Sequence, residues 1–438
     1  MLSRILLAGL LGTAPVAVEA ADDVKELKEL VERQGAEIDR LKEQVGDLKA
    51  APSRSGLDGD VDDYLDATEN QPVRGVAGGW SREQKFSSNR VRLGGYFSIE
   101  HRDDGKGKNG EFDFHRFVLK LQADIANGIG FDTEIEIEGG GADVSFLTGN
   151  EIVVEYAELT FDIWQQYVAF SAGLILVPWG RFNFYHDDPY QDLTDRPLVS
   201  RRIGAVAFGQ PGVSVNGVVP FAGGWFFDYK VALVQGFGEE FTTNGGARDA
   251  RQSFREDNNN NKQWFGRFVF SPPVNFVDLL EFGGSVTYGK WNDGSDLADY
   301  GWGVELHAKR GPFELTGEFM WIRIEQPSGA DASNPRRQTG WYVDLAYHFF
   351  PASWRGKHTL FTKESTFTLI VRVEQIDLNT NTTGTTFRDD LSRVTLGFNF
   401  RPVERTVMKI SYAWQDSEET GFDSGSANIF VISWATYF

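Results

Sequence analysis

Cysteine is absent from the chain, which excludes a disulfide framework, thiol catalysis and thiolate metal sites. Histidine is scarce: 6 residues in 438, none of them in an i,i+4 metal pair, and no Gly-x-Ser-x-Gly elbow occurs. His186 beside Asp187 and Asp188 reads as a polar loop histidine, so no catalytic residue, cofactor or metal is expected. Positive charge is also short, with 43 Lys and Arg against 63 Asp and Glu and a formal net charge of -20. That balance argues against nucleic acid as a partner, because neutralising phosphates needs clustered cations. Beyond the first residues no apolar run is long enough for a membrane helix. What the chain has in quantity is 12 Trp, 13 Tyr, 35 Phe and 48 Gly.

The N-terminal stretch MLSRILLAGLLGTAPVAVEA carries one Arg, an apolar core from Ile5 to Leu11 and small residues towards Ala20. This pattern is that of a cleaved secretory signal peptide over residues 1–20. Residues 22–50 follow with apolar positions at steps of three and four: Val24, Leu27, Val31, Ile38, Leu41, Val45 and Leu48, interrupted by Gln34. This predicts a short periplasmic coiled coil, about four heptads long and roughly 35–40 Å in extent. Residues 51–88, rich in Gly, Asp, Ser and Pro, read as a flexible linker.

From residue 89 to 438 the pattern has period two. RVRLGGYFSIEH places Val91, Leu93, Phe97 and Ile99 on one face and Arg92, Tyr96, Ser98 and Glu100 on the other. IGFDTEIEIE sets Ile129, Phe131, Ile135 and Ile137 against Asp132, Glu134, Glu136 and Glu138. The same alternation returns to the last residue, giving about sixteen strands. Connections alternate between tight ones, such as 126–128 and 164–166, and long polar ones, such as 178–202 and 238–262. The short-side connection 351–365 is longer than its neighbours. Trp225, Trp264, Trp302, Trp341 and Trp414 fall near strand ends, where interfacial girdles place aromatics. The fold class is therefore all-β: a transmembrane antiparallel β-barrel preceded by a coiled-coil helix. At this strand number the interior is too wide for side chains to fill, so inward residues line water.

The stretch GLILVPWGRFNFYHDDPYQDLTDRPLVSRRI, residues 173–203, begins as an apolar ribbon and ends as interleaved Asp and Arg. Its candidate constriction residues are Arg181, Asp187, Asp188, Asp192, Asp195, Arg196, Arg201 and Arg202. The aspartates are expected to form one plate of a charge filter, opposed to these arginines or to bases of the wall. Candidate wall residues are Arg92, Arg116, Lys120, Arg267, Arg372 and Arg393. Phe182, Phe184, Tyr185 and Tyr190 either pack the loop on the wall or form a sugar-stacking track.

The leader, the coiled coil, Gly173, Pro178, Trp179 and Gly180 in the GLILVPWGRFN segment, the strand AFGQPGVSVNG and the terminal Phe438 together resemble the phosphate-selective porin O/P family. The resemblance implies a homotrimer of sixteen-stranded outer-membrane barrels, each pore narrowed by an infolded third loop, here 178–202. The expected function is passive diffusion of small hydrophilic solutes or ions, with outer-membrane lipids as surroundings. An anion- or phosphate-selective channel is the alternative. Another is an outer-membrane anchor whose coiled coil tethers a periplasmic or cell-wall partner.

Overall fold

Alternation becomes pairing from Val91 onward. The computed structural model describes residues 86–87, 91–105, 110–139, 151–331, 334–380, 390–417 and 427–438. The leader, the coiled coil and nearly all of the linker lie outside them. Residue contacts divide the chain into 1–67 and 68–438, and the fold described here belongs to the second unit.

A two-residue strand, β1 (Phe86–Ser87), pairs with the start of β2, so the stretch read as linker already joins the sheet there. Sixteen strands then form the wall: β2 (Val91–Asp103), β3 (Glu111–Ala126), β4 (Ile129–Glu138), β5 (Glu151–Trp164), β6 (Val168–Leu176), β7 (Gly209–Phe221), β8 (Trp225–Val234) and β9 (Gln263–Ser271) make one half. The other half is β10 (Leu279–Lys290), β11 (Ala298–Arg310), β12 (Phe313–Ile324), β13 (Arg337–Phe349), β14 (Thr366–Asp377), β15 (Asp390–Val403), β16 (Thr406–Ser417) and β17 (Ala427–Tyr437). Each pairs antiparallel with its neighbours in sequence, and β17 pairs with β2 from Phe430↔Asp103 to Tyr437↔Tyr96. The sheet is thus a closed sixteen-stranded barrel. Closure leaves no strand edge unpaired, as a lipid environment demands.

The C-terminus completes the seam. Phe438 N–H donates to the Gly95 carbonyl at 3.0 Å, Gly95 N–H returns a bond to the Phe438 carbonyl, and the Phe438 ring stacks on Phe117. Outward positions are apolar, as at Val286, Val304, Leu345 and Leu396, whereas Glu134, Glu318, Arg372 and Lys409 are buried on the inner side. A one-residue slip would exchange these two sets, so the register is strongly specified.

Two connections on the long-loop side do not project outward. Residues 177–208 turn into the lumen and carry a short helix, α1 (Leu198–Arg202), against β13 and β14. Residues 235–262, expected to be a polar outer loop, also fold inward. Phe237, Phe241, Ala247 and Ala250 join Trp179, Val199, Ile203, Phe208, Phe265 and Trp291 in one buried apolar cluster. The reason is the local sequence: GFGEEF supplies two aromatics that cannot both stay in water while a facing apolar loop is at hand.

Candidate functional site

Leaving the wall requires two unusual backbone positions. Gly173, on β6, has φ +138°, and a Cβ there would meet the Ala157 carbonyl oxygen at 2.1 Å. Gly180, at φ +78°, brings the backbone against the opposite wall, where a Cβ would lie 2.5 Å from Glu318 Oε1. Side chains at either site would be strained as well as crowded. The loop stem is then stitched by Asn183, whose amide donates to the Val177 carbonyl (2.7 Å) and accepts from Phe208 N–H (2.8 Å). Trp179 is fully buried, its ring edge-on to Phe265 and its indole N–H donating to the Ile203 carbonyl at 2.9 Å.

Hydrophobic seating and ion pairing divide the work of holding the loop. Full burial of one Trp removes on the order of 200 Å² from water, roughly 5 kcal/mol. A buried charge pair contributes less net, because desolvation offsets most of the attraction. The pairs therefore set where the loop docks more than how tightly.

All four loop aspartates are spent on such docking. Asp187 accepts from Lys120 Nζ (2.6 Å) and the Tyr437 hydroxyl (2.9 Å). Asp188 accepts from Ser98 Oγ (2.5 Å) and Arg116 Nη1 (3.1 Å), while its carbonyl takes Lys409 Nζ at 2.7 Å. Asp192 receives Arg401 Nη2 (3.0 Å) and the Asn399 amide (2.9 Å). Asp195 bridges Arg102 and Arg393, the latter at 3.3 Å. Burial alone would raise the carboxyl of Asp188, but Arg116, then His115 and Lys409, outweigh it and hold it below the usual carboxylate range. Asp195 is likewise held low against its burial, by Arg102 and Arg393. Of the two expected oppositions, loop arginines or wall bases, these contacts are with the wall bases, and they dock the loop on the wall.

The same holds for most other candidates. Arg181 is buried, with its guanidinium 4.2 Å from the Tyr185 ring centroid, near Glu281, and its backbone N–H on Glu318 Oε1 (2.7 Å). Arg267 pairs with Glu305, Arg372 with Asp344, Arg393 with Glu374, and Arg92 with Asp124 at the barrel rim. Arg116 and Lys120 also pair with Glu136 and Glu134 of the neighbouring strand. The loop aromatics pack: Phe184 lies under the Arg267 guanidinium and Tyr185 against Tyr190.

What remains is a set of cations. Among the described residues, Arg196, Arg201, Arg202 and Arg248 have no carboxylate within ion-pairing distance, and Arg196 Nε and Nη2 and Arg202 Nε are buried without a partner. Arg196, Arg201 and Arg248 line a cavity of about 300 Å³ together with Glu100, Arg102, Asp113, His115, Arg116, Glu138, Thr194 and Asp195. The cavity lies on the long-loop half of the barrel, at the ends of β2, β3 and β4. Its four carboxylates are already engaged by Arg102, Arg116, His115 and Arg393. Removal from bulk water, then the proximity of Arg202, pushes the Arg201 guanidinium down to about 10 even though Asp195 opposes the shift. Burial, then Arg251, Arg196 and Arg201, pushes Arg248 down to about 9. Arg201 and Arg248 stay charged at neutral pH, so cations outnumber carboxylates around the cavity.

Arg248 had no signal in a reading that treated 238–262 as outer loop. It is placed by its own side chain, which donates to the Val206 carbonyl, and by Arg251 donating to the Ala207 carbonyl at 3.0 Å. The arginine spacing of three in ARDAR was the available cue. Two carboxylate–histidine groups come close enough to suggest a metal, Glu100–Asp113–His115 and Glu134–His186–Asp187. In the second, Lys120 and Tyr437 occupy Asp187 while Glu155 and the Asn183 carbonyl occupy His186. In the first, Arg102 engages Glu100. Neither donor set suits a cation.

A family model for phosphate-selective porin O and P matches residues 91–433, the whole wall from β2 into β17. The chain belongs to this porin family. A curated relative, an uncharacterized protein of Aquifex aeolicus, is 24% identical over 280 residues, 59% of this chain and 61% of its own length. Among solved structures, OprB of Pseudomonas putida superposes with a TM-score of 0.54 at 11% identity, covering 80% of this chain and 94% of that one. That likeness is one of fold. Together they make this porin an outer-membrane β-barrel.

Proposed function

We propose that the chain is a passive diffusion channel of the outer membrane for small hydrophilic solutes, with a constriction that favours anions. One observation carries the preference. The loop aspartates and the wall cations described above are paired, whereas among the described residues Arg196, Arg201 and Arg248 line the cavity with no carboxylate at ion-pairing distance. Selectivity follows the uncompensated charge at the narrowest part of a pore, not the chain's net charge of -20. Guanidinium donors in a fixed fork also replace part of an oxyanion's hydration shell, which lowers its cost of entry. Passage through such a water-filled barrel is downhill, driven by the solute gradient.

The family to which the chain belongs supports a homotrimer as the assembly. The coiled coil at 22–50 would then stand on the periplasmic side, open to a cell-wall partner, and residues 1–20 would be removed on export.

The test is planar-bilayer recording with a salt gradient. A stepwise conductance is expected, with a reversal potential of the sign set by the anion. The double variant Arg201→Gln, Arg248→Gln is expected to bring that potential towards zero or past it. Absence of conductance would sink the channel reading and leave an anchor. A cation-signed reversal potential in the unaltered protein would overturn only the anion preference.

A further inference from the structure

The tight connections share one end of the barrel, the end that faces the periplasm in outer-membrane barrels. At that end residues 350–365 break the rule, where two or three residues would serve. The extra length is ordered. The Trp354 N–H donates to the Pro351 carbonyl (2.9 Å), and the Gly356 N–H to the Phe361 carbonyl (2.6 Å). Thr362 Oγ1 and Ser365 Oγ both bond the Pro402 carbonyl at the end of β15, at 2.7 and 2.9 Å. Arg355 closes the strap from inside by donating to the carbonyls of Lys363, Thr362 and Ser365.

The direction in which the strap folds is the informative part. Phe350 stacks on Phe367 at 5.0 Å, Trp354 stacks on Phe361 at 5.7 Å, and Phe361 meets Phe400 edge-on at 5.8 Å. Phe367 and Phe400 pair directly across β14 and β15, and share the parity of the outward Leu369, Val371, Leu396 and Phe398. The strap therefore lies over the outer, lipid-side wall at the rim. It keeps Trp354 45% and Leu360 42% exposed there. Beside these stand Lys357, His358 and Lys363 against one acid, Glu364, in a chain that is strongly acidic elsewhere. Among the described residues neither lysine has an ion-pair partner, and exposed His358 accepts the Leu360 N–H at its Nδ1.

We propose that this strap is a binding site for an anionic phospholipid of the periplasmic leaflet. Trp354 and Leu360 enter the glycerol and upper acyl region, and Lys357, Lys363 and the His358 ring hold the phosphate. Amphipathic aromatics next to lysines at headgroup depth satisfy both halves of such a lipid at once. The pre-ordered backbone lowers the entropy cost of holding the lipid. The inference rests on the barrel's orientation and not on pore selectivity.

The full-length protein is reconstituted into phosphatidylcholine vesicles carrying a matched fraction of brominated phosphatidylglycerol or brominated phosphatidylcholine. Trp354 fluorescence is taken as the difference between the unaltered protein and Trp354→Phe. Quenching is expected to be stronger with brominated phosphatidylglycerol, by about fivefold in local enrichment for each lysine engaged. The variant Lys357→Gln, Lys363→Gln, with conductance unchanged as its folding control, should erase the difference. Equal quenching by both lipids would overturn the proposal, because the strap would then touch annular lipid without reading headgroups. No quenching by either, with loss of oligomer in Trp354→Ala, would also overturn it and assign the strap to a second copy of the chain.

Discussion

Asp188 shows how much a single loop residue is asked to do. It takes hydrogen bonds from Ser98 and Arg116 through its carboxylate and from Lys409 through its carbonyl, joining one loop to three strands. Asp188→Asn would keep the shape but remove the charge facing Arg116, which retains Glu136 and Glu138. The expected cost is on the order of 1–3 kcal/mol of loop docking. It should be read as increased open-channel current noise with little change in reversal potential. A large change in reversal potential with quiet current would instead place Asp188 in the selectivity field. Asp and Arg were both visible in the sequence as chemistry, but which of them cancel is a matter of distance. Alternation along strands shows parity, not height, so the match of Asp187 to Lys120 or Asp195 to Arg393 had no signal in the chain.

At the scale of elements, the two infolded loops are one structure. Trp179 of the first and Phe237 and Phe241 of the second share an apolar cluster with Phe265 of the wall. Trp179→Ala would leave a cavity and an unpaired Ile203 carbonyl, costing about 3–5 kcal/mol of loop seating. The barrel, whose ladder bonds are untouched, should stay folded by circular dichroism. Protease access to 177–208 should rise, and conductance should become unstable. Intact protection would mean that the second loop holds the first without this ring. The Gly173, Pro178 and Gly180 pattern marked where the chain leaves the wall, because positive φ and a missing N–H are written in residue types. The inward fold of 235–262 was not marked, since its aromatics find partners only after the first loop has turned in.

For the whole molecule, acid is the condition that separates wall from loop. Folding depresses the carboxyls of Asp188 and Asp195, so their stabilisation is complete above the ordinary value near ~4 and is lost as pH falls through and below it. Loop docking should hold steady from neutrality down to about pH 5 and loosen below about pH 4. Single-channel noise should report this before the barrel itself unfolds. Onset of noise near neutrality would instead show that groups other than these two aspartates hold the loop.

The sequence by itself determined the wall. Period-two alternation with tight turns on one side implies about sixteen strands in a closed sheet, because a sheet in lipid has only one way to hide its polar backbone and its polar face. It also determined that the third loop is chemically unlike a solvent loop. Only the tertiary structure decided what that loop does with its charges. Neutralisation depends on which strand faces which loop residue across the lumen. Closure brings together residues 67 to 221 positions apart, as in Lys120 with Asp187 and Lys409 with Asp188. That juxtaposition docks the aspartates on wall bases, and leaves Arg196, Arg201 and Arg248 lining a cavity with no carboxylate at ion-pairing distance among the described residues.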